Sequence, residues 1–502
     1  MNQNKAQELG RELYSASTQM PHPSLDVIGG SRRNDAANVA CDTVRLAAKG
    51  KNVTIYSMVH KSIGPLGTGV HSLETVLRSD QHTSDENVVD KLFWFFEMTP
   101  KVFEKPHEIG LQYLMHSLND QTFHRIMNTK WDIVLLDEMF VTAQGAMALA
   151  FCKKYGTKLA TFATTDLSGT FSIYRGFSRN PVTAPNYYTK GYDIMTHDLR
   201  SFRLRLFSVM DVIYEQYVFG IASNRWFKKA GKVLNVHSTY EILYQASHAS
   251  FTDFPSRYGY TSSLGTDLIN VGEHCQASRE LPSDLRAFVE DPSSKGTIYI
   301  AFGSIVKWHA AKPEVISAFF DVLNSLTDYR IIFSYAGPEV KNVSEHVKIL
   351  PWAPQNDILA HNKTVLFFTH GGLKSIKEGI CSSTKMLFLP FFADQPRNAL
   401  FARSLGIAEV IYKKNITREE LSLKINRVLT DSRFDTQIRK LNRQFLDHVI
   451  EPLEYGSYWI SRLEKIDNIQ TMYYKNRGRL LSWISFLYID FLVIAFMSSV
   501  LI

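Results

Sequence analysis

The sequence predicts an α/β protein carrying two β-α-β-based domains. Three observations lead there. The chain has 502 residues, enough for two or three domains of ordinary size. Near its start, two apolar β-branched runs flank an amphipathic helical pattern between Leu25 and Val59. Far downstream, a second apolar run, Thr364–Thr369, passes through His370-Gly371-Gly372 into a helical pattern from Leu373 to about Cys381.

Met1–Ser24 is polar and holds no apolar run of signal-peptide length. Leu25–Gly30 reads as a strand. Asp35–Lys49 reads as a helix, with Ala36, Val39, Ala40, Val44 and Ala47 on or near one face and Gly50 as its stop. Asn52–Val59 is the second strand. Phe93–Leu118 is aromatic-rich and partly helical, with breaks expected at Pro100 and Pro106. Phe93, Phe95 and Phe96 suit a core or an acceptor pocket. Trp131–Leu136 is a strand with Asp137 at its C-terminal end, Ala143–Lys154 its covering helix and Lys158–Ala163 the next strand. Tyr174–Thr252 is Tyr- and Phe-rich and partly helical. Phe254–Val271 carries the Pro, Gly and Ser signals of a linker, ending in a strand at Leu268–Gly272. Strands follow before Ser304, at Arg330–Ser334 and at Met386–Pro390, and Arg418–Ile466 is mostly helical. Leu480–Ile502 is apolar enough to read as a bilayer span, although Asp490 near its middle weakens that reading.

Hydrophobic residues make up 45% and charged residues 21%, a globular balance. The net charge of +7 is spread out, without a compact basic stretch interleaved with aromatics, which argues against nucleic acid as a partner. Cys41, Cys152, Cys275 and Cys381 fit no metal spacing and read as buried free thiols; no disulfide follows from the sequence. Sequons at Asn52, Asn342, Asn362 and Asn415 give weak support to a luminal location.

Trp352–Asn398 concentrates the binding chemistry. Two glycines between strand and helix let backbone approach a ligand, and the helix start offers free N–H groups to a phosphate. Ser375 lies in that first turn, Lys374 adds a cation, and Glu378 is placed for ribose hydroxyls. Asp394 and Gln395, past the strand at Met386–Pro390, suit sugar hydroxyls. Trp352 and Gln355 offer a flat face and an amide edge to a nucleobase.

W-x-P-Q, T-H-G-G-x-x-S-x-x-E and P-x-F-x-D-Q-x-x-N together resemble the donor-binding signature of the UDP-glycosyltransferases, closest to the animal UDP-glucuronosyltransferases. The resemblance implies two Rossmann-like α/β domains facing a cleft, the GT-B arrangement. Residues 25–253 would bind the acceptor, 254–270 link, and 271–466 bind the donor, after a polar extension at 1–24 and before a transmembrane helix at 480–502. It implies that Trp352 stacks on uracil and Gln355 bonds the uridine. His370, Gly372 and Ser375, with Ser304, would hold the diphosphate, Glu378 the ribose, and Asp394 and Gln395 the sugar. The donor is then UDP-glucuronate or UDP-glucose, with no further cofactor and no metal. The acceptor is a small lipophilic molecule. Lys374 stands where the family usually has Asn, and Lys385 where it has Pro.

The largest departure is catalytic. The family places a His at the start of the first helix as general base. Counting back from Ala47-Ala48-Lys49-Gly50, that position is Asp35, and no His occurs from Leu25 to Val59. An ordinary Asp, with a pKa of about 3.9, is a weaker base than His. Asp35 could be a base raised by burial, or the enzyme could act on amines or acidic hydroxyls that need little help; a helix N-cap role fits either. Asp35 could equally belong to a non-catalytic UDP-sugar binder, alone or as homo- or hetero-oligomeric partner of an active relative. His60 is the nearest His downstream and reads as a loop residue. Asp137, in WDIVLLDE, matches the family's carboxylate that orients the base; facing Asp35, it would raise one of the two pKa values. The expected location is the endoplasmic reticulum membrane with the globular part luminal, although Lys475, Arg477 and Arg479 precede the span.

Overall fold

The computed structural model describes residues 24–28, 46–47, 49–59, 69–76, 91, 94–95, 101, 104–138, 141–165, 169–177, 200–255, 258, 265–303, 306–466 and 475–501. Asp35, Cys41, His60, Phe93, Phe96 and Ser304 lie outside these residues, as does most of the helix expected at Asp35–Lys49.

Apolar runs make strands that are mostly buried along their length, as parallel sheets covered on both faces require. The first sheet holds β1 (Ser24–Ile28), β2 (Asn52–Val59), β3 (Val70–Val76), β4 (Ile133–Asp137), β5 (Lys158–Ala163), β6 (Ser247–Thr252) and β7 (Leu268–Asn270). Their order is β3-β2-β1-β4-β5-β6-β7. All pairings are parallel, with Val27 opposite Ile55 on one side and Leu135 on the other. The second sheet holds β8 (Thr297–Ala301), β9 (Arg330–Ser334), β10 (Val347–Leu350), β11 (Thr364–Thr369), β12 (Met386–Phe388) and β13 (Ala408–Val410), ordered β10-β9-β8-β11-β12-β13 and again parallel. In each sheet the order reverses once, between β1 and β4 and between β8 and β11. Ligands of doubly wound sheets sit at such reversals, outside the carboxyl ends of the strands.

The chain ties the two units together. The Pro452–Lys465 helix lays Ile460 and Leu463 into a cluster with Val53, Ile55, Leu135 and Phe162 of the first sheet. Lys158 donates to the Glu464 and Ile466 carbonyls at 3.0 and 2.8 Å. Lys49 and Lys51 pair with Glu454 and Glu464. Trp94 is buried in the core of the second domain, its ring centroid 4.8 Å from Phe391 and its Nε1 donating to the Lys307 carbonyl at 2.9 Å. Phe95, by contrast, is exposed.

Four expectations are corrected. Pro106 does not break a helix; it lies in the first turn of Glu104–Ser117, where its missing N–H has no intrahelical role. The free-thiol reading fails at two positions: Cys275 and Cys381 form a disulfide across 106 residues. Cys152 is free, and burial pushes its thiol up to about 11. The single transmembrane helix at Leu480–Ile502 is replaced by Arg477–Leu480, Trp483–Phe486 and Ile489–Leu501. Tyr488, at φ 56°, breaks the run, and the last helix is 13 residues long. No helix among the described residues is long and apolar enough to cross a membrane. The cation expected to flank the span is buried instead: Arg479 pairs with Asp267 and donates to the Tyr244 and Ser247 carbonyls at 3.1 Å each.

Candidate active site

The reversal in the second sheet is occupied by His370. β11 delivers it, and β8 delivers Gly303 beside it. A Cβ on Gly303 would sit 3.0 Å from His370 Cε1, and one on Gly372 would sit 2.6 Å from Nε2. Gly303 and Gly371 also adopt φ of 68° and 84°, conformations that disfavour any side chain. The imidazole is thus held between two glycines, with Thr369 Oγ1 3.2 Å from Nδ1. A sliver of the ring stays exposed, yet its enclosure lowers the pKa to about 4. At neutral pH His370 is an uncharged imidazole.

The Leu373–Cys381 helix starts from Gly372, which offers no side-chain cap, so its first N–H groups remain for a ligand. Ser375 is buried in the first turn and Lys374 half-buried beside it. Gln355, at the start of the short Gln355–Leu359 helix, joins the group. Its Nε2 donates to Glu378 and, at 3.4 Å, to Ser375 Oγ, while its Oε1 accepts from Tyr299 at 3.4 Å. Burial raises the Glu378 pKa, opposed by Lys374 and by the Gln355 bond. Trp352, three residues before Gln355, is 68% exposed, which leaves a large indole for stacking.

The candidate sugar loop follows β12. Asp394 and Gln395 are both buried. Gln395 Oε1 accepts from the Phe391 and Phe392 N–H groups at 3.0 and 3.2 Å, which fixes the loop and turns the amide nitrogen the other way. Asn398 Nδ2 donates to Asp394 Oδ2 at 2.8 Å and to the Gly371 carbonyl at 3.2 Å. One side chain therefore locks the loop after β12 to the loop after β11. Asn398 was inside the motif, but its bridging role needed coordinates. Tyr299 likewise read only as a strand residue. Ala393 packs against the core cluster of the first domain, so this loop faces the acceptor side.

On that side, Asp137 ends β4 beside the first sheet's reversal, buried, with Thr164 Oγ1 donating to it at 3.0 Å. Its neighbour Glu138 turns into the interior, where it pairs with fully buried Arg175 and accepts from Tyr244 at 2.8 Å. Asp35 lies outside the described residues, so its partnership with Asp137 is not drawn. Among the described residues, no group of three His, Cys, Asp or Glu side chains could hold a metal ion.

Two α/β units with a nucleotide-binding reversal are the architecture of glycosyltransferases of the GT-B type. The fold resembles the glycotransferase of kitacinnamycin, with a TM-score of 0.58 at 16% identity over 88% of this chain and 100% of that one. It also resembles a UDP-glucosyltransferase from Polygonum tinctorium capable of glucosylating indoxyl, with a TM-score of 0.58 at 13% identity over 90% of this chain and 100% of that one. The family model for UDP-glucoronosyl and UDP-glucosyl transferases matches residues 50–502, and the chain belongs to that family. It is 26% identical to a UDP-glucuronosyltransferase of Pleuronectes platessa over 56% of this chain and 58% of that one. It is 25% identical to human UDP-glucuronosyltransferase 1A6 over 58% of this chain and 54% of that one. The match thus spans little more than half the length of these two relatives. UDP-glycosyltransferase UGT5 of Dactylopius coccus is 25% identical over 91% of this chain and 85% of its own.

Proposed function

We propose that the protein transfers a glucuronosyl or glucosyl group from a UDP-sugar to a small lipophilic acceptor, with inversion. The acceptor's oxygen or nitrogen attacks the anomeric carbon in line. The bond to the diphosphate oxygen breaks, UDP leaves with its electron pair, and the acceptor's proton passes to a carboxylate. One observation carries this reading: Gln355, Ser375 and Glu378 are bonded into one cluster at the start of an uncapped helix, with the exposed Trp352 indole three residues before Gln355. In this reading Trp352 and Gln355 take the uracil, and Glu378 takes the ribose. Gly372, Ser375, Lys374 and Ser304, with neutral His370, take the diphosphate, and Asp394 and Gln395 take the sugar. Donors aimed at the leaving diphosphate stabilise the charge that grows there. Asp35 is assigned as base and Asp137 as the group that orients it or raises its pKa. The disulfide supports a luminal, oxidising location.

The test is UDP release by the purified chain, with UDP-glucuronate and UDP-glucose offered against phenols and amines, wild type beside Asp35→His. Turnover on phenols makes Asp35 or another group a working base; turnover on amines alone assigns acceptors that need little base. Donor binding without turnover, with activity gained in Asp35→His, identifies a donor site whose base is lost. Absence of UDP binding in both proteins removes the donor assignment.

A further inference from the structure

The helix that carries Ser375 and Glu378 is tied on another side to the acceptor domain. Lys377 Nζ lies 2.5 Å from Asp253 Oδ1, and the two side chains are 8% and 6% exposed. Asp253 directly follows β6 of the first sheet; its N–H donates to the Ala163 carbonyl at the end of β5 at 2.9 Å. One turn beyond Lys377, on the same face of the helix, Cys381 is bonded to Cys275, five residues past the last strand of the first sheet. Nearby, the Tyr258 hydroxyl of the linker donates to the Asn398 carbonyl at 2.6 Å.

A buried ion pair is a poor source of net stability, because losing water offsets most of the attraction. Its directional bond is what a hydrophobic pair of the same size could not supply. Here that direction runs from the end of an acceptor-domain strand to a point between Ser375 and Glu378. Any rotation of one domain on the other moves the donor helix unless this bond breaks.

We propose that Lys377 is a positioning residue for glycosyl transfer. With Asp253 it sets the donor helix against the acceptor domain, so that the anomeric carbon meets the acceptor's nucleophile. This deepens the transfer reading above and rests on it. Lys377 gives its ammonium to Asp253, and its charge acts on Glu378 only at a distance, favouring the ionised carboxyl.

The test uses the full chain without reductant. Lys377→Met/Asp253→Leu removes the tie and leaves no orphan charge in the interior; Lys377→Arg is the conservative rescue. UDP affinity is read by calorimetry, kcat and acceptor KM by UDP release, and hydrogen exchange at residues 247–254 with UDP bound. The double variant is expected to hold UDP within about threefold, lose at least tenfold in kcat and exchange faster at 247–254, with Lys377→Arg recovering most of the loss. An unchanged kcat overturns the proposal. So does a UDP affinity that falls in step with kcat, which would make Lys377 a donor contact. A wild type that binds UDP but turns over no acceptor defeats the transfer reading instead, and unchanged exchange in the double variant would then remove the tie as well.

Discussion

The two halves of the molecule assemble their buried polar groups by different means. On the donor side, Trp352, Gln355, His370, Ser375, Glu378, Asp394, Gln395 and Asn398 all lie within one short segment, because strand, loop and helix follow one another around one reversal of the sheet. On the acceptor side the polar interior is assembled from distant segments. Glu138 follows β4, Arg175 follows the Gly169–Tyr174 helix, Tyr244 sits in the Tyr240–Ala246 helix, Asp267 precedes β7, and Arg479 comes from the last part of the chain. A site built from neighbours in sequence announces itself as a motif. One built from long-range packing does not.

The sharpest way to separate the halves is Glu138→Ala. It strands Arg175, which is fully buried and also donates to Ser250 Oγ at 3.1 Å. Removing one member of a buried pair costs about 3–5 kcal/mol, because the remaining charge has no water to return to. Calorimetric melting is expected to show an early transition from the acceptor domain, while UDP affinity measured well below it stays within about twofold. Equal loss of UDP binding would mean that the halves do not fold as separable units.

The second break is made with pH. His370 has a folded pKa of about 4, below its ordinary value of about 6.5. The unfolded chain takes up the proton first, so the stability from the neutral ring is present above about 6.5 and is lost as pH falls toward 4. The wild type is expected to lose about 3 kcal/mol more than His370→Gln across that interval, at 1.36 kcal/mol per pKa unit. Parallel denaturation curves for the two proteins would mean that the imidazole is not enclosed between Gly303 and Gly372.

Glu378→Gln tests the donor cluster in two directions at once. Burial raises the carboxyl's pKa, against the pull of Lys374 and Gln355. A raised carboxyl favours folding while protonated, and that contribution is lost as pH rises through the folded value. The amide never ionises, so the variant is expected to melt higher than wild type at pH 8. It is also expected to bind UDP about 10–100-fold more weakly, since a bond to a charged acceptor contributes about 1.5–3 kcal/mol. Unchanged affinity would remove Glu378 from the ribose site.

The comparison also explains what the sequence disclosed. β2, β5, β9 and β11 have the bounds their apolar runs suggest, and the Leu373–Cys381 helix starts where Gly372 permits. Those are local properties of strand period and capping. Pro106 was misread because only its place in a helix, first turn or interior, decides whether proline interrupts. The Cys275–Cys381 bond could not be read from spacing, since its partners are 106 residues apart and meet only through tertiary packing. The terminal apolar run does not form one long helix, and composition does not record a break such as Tyr488. Trp94 entered the opposite domain's core for the same reason that Arg479 entered the first: tertiary partners chose them.

The smallest effect belongs to Lys385, where the chain departs from the family's usual Pro inside the donor segment. Its side chain is buried, and its Nζ reaches Asp435 Oδ2 at 2.8 Å and the Leu429 carbonyl at 3.2 Å. Leu429 is in the last turn of the Arg418–Thr430 helix and Asp435 in the first turn of Ser432–Phe445. A cation at a helix C-terminus satisfies a carbonyl that has no partner within the helix and complements the dipole. Lys385 therefore clamps two helices behind the sheet, remote in role from the nucleotide. Asp435 is about a third exposed, so water screens the pair. Lys385→Met, which keeps the packing stem, is expected to cost about 1 kcal/mol or less in denaturant unfolding and to leave UDP affinity unchanged. A shift in affinity beyond about threefold would place Lys385 on the donor side of the comparison, and the departure from Pro would then bear on binding rather than on the fold.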